Sequence, residues 1–390
     1  MLLFKTALLN LGFRPFFLGA TVFSIISIAF WMGIYTFQLP LIVGISYVQW
    51  HAHEMIYGFG MAVIAGFLLT AVKNWTGIQT LYGLGLLALF TLWALARILF
   101  LFGTPFVFIA AIFDISFMVF LIGALIYPMI KSQQIKKQFG IIGILVFMTI
   151  GNILFYLGVV GFVEQGMYWS IYGGLYLVIG LIIIMGRRVI PFFIEVGVSY
   201  PVKLFNSQWL DIAILLLYLA FFIVEVFFGN RHLSALLSAG LFIMVSVRLI
   251  GWHTIGIWKK PLLWSLLVAF LFINLGFLLI ALGPFIDLPN IRAIHAFSFG
   301  GIGVITLSMM ARVTLGHTGR NVQSPPGAMT WAFLALIVGA VVRVILPLIA
   351  ADHYLIWITV SQILWITAFL IFVIVYAPML IKPRIDGQFG

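Results

Sequence analysis

Cysteine is absent from this chain. That excludes disulfides, thiolate-held iron-sulfur clusters and covalent c-type haem attachment. Any metal must be held by His, Met, Glu, Asp or backbone groups. Charge is scarce as well: Asp, Glu, Lys and Arg make up 7% of the residues, and only 9 of these are acidic, against 20 basic. With 64% hydrophobic residues and a mean hydropathy of +1.25, the chain has too little polar surface to fold in water. A polytopic membrane protein is the class that remains.

Charged residues and Pro/Gly clusters break the 390 residues into twelve apolar runs of about 20 residues, the length one helix needs to cross the hydrocarbon core. The expected spans are roughly 15–37, 51–72, 78–100, 105–130, 139–162, 167–188, 207–228, 232–252, 261–283, 292–314, 328–350 and 354–380. The longest connection expected is the stretch from Val189 to Asn206. An all-α single membrane domain over 1–390 is the economical reading. The first run lacks a small-residue cleavage site and reads as a retained span.

Cytoplasmic loops hold Lys and Arg during insertion. With the N-terminus inside, sixteen of the basic residues, from Lys5 to Arg384, fall on the inner side, and only Arg97, Arg231, Arg292 and Arg343 lie outside or near it. Both termini are predicted cytoplasmic. The net charge of +11 then reflects loops facing an anionic inner leaflet, with the lipid bilayer as partner and no nucleic acid.

Ionisable residues at membrane depth are costly and mark function by default. Trp50-His51-Ala52-His53-Glu54-Met55 opens the second run, and His295 opens the tenth on the same outer side. His51, His53 and His295 are the candidate metal ligands, with Met55 as a further cofactor contact and Glu54 as a candidate catalytic proton source. His51 and His53 are two positions apart and point away from each other on a helix. His51 shares its face with Glu54, Met55, Gly58, Ala62 and Ala65, a row of small side chains that leaves room for a flat macrocycle or a close helix. One histidine is expected to pair with His295 across a b-type haem, the other to bind copper or hydrogen-bond behind the first, with Arg292 on a haem propionate. The competing reading is hydrogen bonding between tightly packed helices.

His253 and His317 form a separate inner candidate cluster with Arg312, Arg248, Arg187 and Arg188. His317 lies 22 residues beyond His295, about 33 Å along a helix, so one metal cannot hold both. Asp114 and Glu225 are intramembrane carboxylates expected to pair with Arg97 or Arg343, and Asn152 and Gln362 read as interhelical hydrogen-bonding groups.

The chain resembles the NnrS family of bacterial membrane proteins. Gly12-Phe13-Arg14-Pro15-Phe16-Phe17, Trp50-His51-Ala52-His53-Glu54-Met55, the stretch from Gly66 to Gly77, Gly186-Arg187-Arg188-Val189-Ile190-Pro191-Phe192-Phe193 and Met309-Met310-Ala311-Arg312-Val313-Thr314-Leu315-Gly316-His317-Thr318-Gly319-Arg320 carry the resemblance. It implies twelve helices in the bacterial inner membrane, haem b and copper as cofactors, and relief of nitric-oxide or nitrosative stress in denitrification settings. It leaves the reaction and the electron donor open. The family motifs fall on His51, His53, His295 and His317.

Pro15-Phe16-Phe17 recurs as Pro191-Phe192-Phe193, and Trp75-Thr76 recurs loosely as Trp252-His253-Thr254, with offsets of 176 and 177. These suggest parallel six-helix halves, 1–185 and 186–390. Three functions stay open: a haem- and copper-binding protein that binds or reduces nitric oxide, which as an enzyme would be an oxidoreductase; a secondary transporter of a small solute or metal; and a non-catalytic haem or nitric-oxide sensor.

Overall fold

A computed structural model describes residues 7–39 and 45–390. Lys5, counted above for orientation, lies outside them. Among the described residues are twelve helices long and apolar enough to cross a membrane: α1 Phe13–Phe37, α2 Tyr47–Thr76, α3 Gly83–Leu101, α4 Thr104–Lys131, α5 Phe139–Val159, α6 Gly166–Gly197, α7 Gln208–Phe228, α8 Arg231–Trp252, α9 Pro261–Ile286, α10 Ile291–His317, α11 Ala328–Ile349 and α12 Tyr354–Ile381. No strand occurs among the described residues. The fold is all-α and polytopic, as expected. Large apolar side chains left on the outside, such as Phe108, Leu216 and Ile374, suit contact with hydrocarbon.

Two of the boundaries that differ from expectation do so for evident local reasons. Ser46 and Gln49 form a reciprocal capping box, which starts α2 at Tyr47 and sets the histidines inside the helix. α6 runs on through Pro191 to Gly197, because Ile190 and Ile194 continue its buried face. Glu195 then accepts a hydrogen bond from the Leu204 amide at 3.1 Å, which folds the shortened connection back.

The chain divides into two compact units. The first comprises residues 1–177, 310–322 and 369–390; the second comprises 178–309 and 323–368. α6, α10 and α12 each contribute residues to both.

In the first unit α1 and α2 pack at glycines. A Cβ on Gly66 would lie 2.9 Å from the Phe17 ring, and one on Gly58 would lie 2.6 Å from Phe23. The expected row of small side chains is thus filled by a close helix, the small-residue packing that brings membrane helices together. Thr70 Oγ1 accepts from the Phe13 amide at 3.2 Å and donates to Gly66 O at 2.8 Å. Arg14 is fully buried, and its Nη1 donates to the carbonyls of Met379, Leu380 and Lys382 at the end of α12. In the second unit Gly186 packs on Phe270, and Asp211 joins α7 to Arg248 of α8 and to Arg187 of α6 at 3.5 Å.

Candidate functional site

α2 changes its winding directly after His53. Residues Glu54–Gly60 form a π-helical segment before the α-helix resumes at Met61. Such segments are uncommon and concentrate at functional sites. His51 precedes the change and stacks on Trp31 of α1, with ring centroids 4.5 Å apart and planes 10° apart. His53 turns the other way, as helical spacing requires.

His53 is completely buried among polar partners from four helices. Its Nδ1 lies 3.0 Å from Glu54 Oε1 and its Nε2 lies 2.9 Å from Asn152 Oδ1, with Asp114 Oδ2 at 3.8 Å. Arg97 of α3 donates to Glu54 Oε1 at 2.6 Å through Nη1, and its Nη2 pairs with Asp114 Oδ2. The Tyr156 hydroxyl donates to Asp114 Oδ2 at 3.0 Å. Asn152 Nδ2 contacts Met118 Sδ at 3.3 Å, so this amide bridges α5 and α4 as expected. Phe155 stacks on the imidazole at 4.0 Å, and Tyr57, Phe100 and Tyr156 complete a ring of aromatics.

This is a buried ion network. Desolvating four ionisable groups is repaid only because each finds a partner. The expected pairing of Asp114 with Arg97 is present. His53, expected to ligate a metal, has its ring nitrogens engaged by Glu54 and Asn152 and a phenyl ring over one face. Glu54, expected on the face of His51, is instead held between His53 and Arg97.

The histidine of α10 has a similar setting. His295 is followed at once by a π-helical segment, Ala296–Gly303. Its Nδ1 lies 2.8 Å from Ile291 O, which can only accept, so Nδ1 carries the proton. Nε2 lies 3.0 Å from Arg343 Nη2, which can only donate. The ring is therefore neutral with its lone pair on Nε2. Arg292 and Arg343 both lie against the Tyr354 ring, at 4.8 and 5.9 Å.

His317 Nε2 lies 3.4 Å from Asn74 Nδ2, and its ring lies 5.8 Å from Phe13. His253 accepts from Trp258 Nε1 at 3.0 Å. Of the expected inner cluster, His317 and Arg312 belong to the first unit and His253, Arg248, Arg187 and Arg188 to the second. Met55 is half-buried within the π segment of α2. Among the described residues no three His, Asp or Glu side chains form a group that could hold a metal ion. Gln362, expected to hydrogen-bond between helices, is buried with both amide atoms lacking a partner among the described residues.

A model of the NnrS protein family matches residues 7–384, nearly the whole chain. The chain belongs to the NnrS family. Membership supports a nitric-oxide-related role for this membrane protein. Comparison with curated proteins gives no match.

Seen in this NnrS protein, α2–α4 and α10–α12 share a local pattern that the sequence reading missed. His53 and His295 stand 242 residues apart, as do Gly58 and Gly300, Thr76 and Thr318, and Gly77 and Gly319. Both histidines precede π segments. Thr76 and Thr318 each donate to the carbonyl four residues back, at 2.7 and 2.6 Å, and both following glycines have positive φ, at 69° and 77°. Arg97 and Arg343 sit on the next helix. α4 and α12 are each 28 residues long, with Pro128 and Pro378 three residues before the last. By contrast, Pro15 lies in the first turn of α1 while Pro191 lies inside α6. The signal was His-x3-aromatic-Gly with Thr-Gly at a fixed distance downstream, hidden because most of the intervening residues are apolar.

Proposed function

We propose that this protein binds haem b in the bacterial inner membrane through His295 and handles nitric oxide there. The observation that carries this reading is the state of His295: a neutral ring, its Nδ1–H fixed by a backbone carbonyl, its Nε2 lone pair facing Arg343 at 3.0 Å. Metal-ligating histidines adopt this arrangement, in which the second nitrogen donates to a carbonyl and orients the ring. When bound, a ferrous haem supplies an iron that takes nitric oxide as a ligand. The chain's own part is to orient the imidazole through Ile291 and to hold the aromatic and glycine residues of the π segment beside it.

His53 belongs to its own ion network in the first unit and is not a ligand in this reading. Copper, which the family resemblance implies, finds no three-donor group among the described residues, and no residue is assigned to it.

The test is purification in detergent, with absorption spectra of the oxidised, reduced and nitric-oxide-treated protein and metal analysis on the same sample. A Soret band that shifts with nitric oxide, is lost in His295→Ala and persists in His53→Gln is expected. Haem retained in His295→Ala but lost in His53→Gln overturns the assignment. A colourless, folded protein that takes up no added haem favours the transporter reading, which twelve spans also suit.

A further inference from the structure

Three of the stretches that carry the family resemblance meet at one end of the first unit. Asn74 Nδ2 of α2 lies 3.4 Å from His317 Nε2 of α10, and the Phe13 ring of α1 lies 5.8 Å from the His317 ring. Residues after α12 fold over this end. Arg384 Nη1 donates to His317 O at 3.2 Å, the Ile385 amide donates to Thr318 O at 3.3 Å, and the exposed Phe389 ring lies 5.3 Å from Lys73 Nζ. Arg320 Nη1 donates to Thr318 O at 3.4 Å, and Arg14 Nη1 to Lys382 O at 2.8 Å. All of these residues belong to the first unit, so the inference is independent of the haem reading at His295.

Five cations gather here: Arg14, Lys73, Arg320, Lys382 and Arg384. Arg384 acts electrostatically on Arg14, Lys73 and His317. Only Asp386 opposes them. Glu54, Asp114 and Glu164, the other acidic residues of this unit, lie toward or beyond the opposite ends of α2, α4 and α5. Asp386 is itself taken by Arg384, through Nε to Oδ1 at 2.9 Å and Nη2 to Oδ2 at 2.5 Å. Lys73, Arg320 and Lys382 have no carboxylate within 4.0 Å among the described residues. Lys73 and Arg320 are half-buried, and Asn74 and Lys382 are exposed. Like charges collected at one end repel one another unless an anion from outside the chain joins them.

We propose that this end of the first unit is a docking surface for the phosphate headgroup of an anionic phospholipid, with Lys73, Asn74, Arg320 and Lys382 as its contacts. Depth selects a lipid over a soluble ligand. The cations stand at the ends of three spans, α2 at Thr76, α10 at His317 and α12 at Ile381, which is where headgroups lie. The bias of Lys and Arg along the chain marks this end as the inner one, and exposed Tyr82 and Phe389 supply the aromatic side chains that favour the interface. Lys73 and Lys382 attract phosphate as point charges, while Arg320 and the Asn74 amide donate hydrogen bonds to its oxygens. Asp386 is the chain's own anion at this place. It lies against Gly319, whose φ of 77° suits glycine and where a Cβ would meet the Asp386 carboxyl at 3.1 Å. That carboxylate occupies Arg384 and keeps it from the lipid.

The full chain is reconstituted in phosphatidylcholine nanodiscs containing increasing fractions of phosphatidylglycerol at fixed ionic strength, and thermal unfolding is followed by tryptophan fluorescence. Native mass spectrometry counts the lipid retained. Saturable stabilisation by phosphatidylglycerol is expected, with the half-saturating fraction raised about fivefold in Lys73→Gln and in Arg320→Gln. Lys136→Gln, the same change of charge in the exposed connection between α4 and α5, should leave it unchanged. Asp386→Asn should lower it, because Arg384 is released to the phosphate; a merely structural role for the tail would move it the other way. Unfolding in pure phosphatidylcholine reports whether each variant folds. An equal loss in Lys136→Gln, or stabilisation that rises without saturating, marks diffuse attraction to the leaflet and overturns the proposal. Stabilisation by inorganic phosphate in pure phosphatidylcholine, with no added effect of phosphatidylglycerol, overturns it in favour of a soluble phosphate ligand.

Discussion

Replacing Arg97 by methionine removes the cation that holds Glu54 and Asp114 together inside the bilayer. The guanidinium is 3% exposed and makes one contact to each carboxylate. The contact to Glu54 is a hydrogen bond to a charged group, which contributes about 1.5–3 kcal/mol, and the contact to Asp114 is an ion pair. Breaking a buried ion pair from one side costs about 3–5 kcal/mol, because the stranded charge keeps its desolvation penalty. A loss of about 4 kcal/mol is expected. Methionine fills a similar volume, so little of this comes from a cavity. The assay is unfolding of the purified protein by sodium dodecyl sulfate, followed by tryptophan fluorescence. In Arg97→Met/Glu54→Gln one of the two stranded charges is gone, so the double variant should be more stable than Arg97→Met alone. A coupling of about 1–3 kcal/mol is expected for groups in direct contact. A single-variant loss below about 1 kcal/mol, with no recovery in the double, would refute the idea that this network is buried and mutually compensated.

Gly66→Val should destabilise the protein by about 1–3 kcal/mol, since even a Cβ would meet Phe16 and Phe17 at about 3 Å; unchanged unfolding would mean that α1 and α2 are less close than described. Arg14→Gln removes one guanidinium nitrogen shared by three carbonyls, and should expose the end of α12 to protease at lower denaturant concentration than in the wild type. His53→Gln should lower stability while leaving the haem content of the purified protein unchanged, read from the Soret absorbance. Arg384 holds the Asp386 carboxyl down to about 2, against an ordinary 3.8. That depressed carboxylate contributes above its ordinary value, and the contribution is lost as pH falls from about 3.8 through 2. Carbon NMR of the labelled carboxylate should show this midpoint, and a midpoint near 3.8 would show the pair to be open in solution.

Apolar run length alone determined the class and the twelve helices, because a backbone in hydrocarbon has to satisfy its hydrogen bonds within each span. The divergence of His51 and His53 was legible for the same reason: helical geometry is local. Boundaries set by short-range chemistry were less so. The Ser46–Gln49 cap carried α2 backward, and buried Ile190 and Ile194 carried α6 through a proline that reads as a stop.

Tertiary structure alone decided what each histidine does. Sequence showed His53 beside Glu54, yet Arg97, Asp114 and Asn152 come from three other helices, and only their packing engages both ring nitrogens. The π segments after His53 and His295 were also out of reach, since a helical wheel assumes uniform winding and these segments rotate every later face. Paired acceptors and donors, not residue type, separate the carboxylate-filled site around His53 from the arginine-lined site around His295.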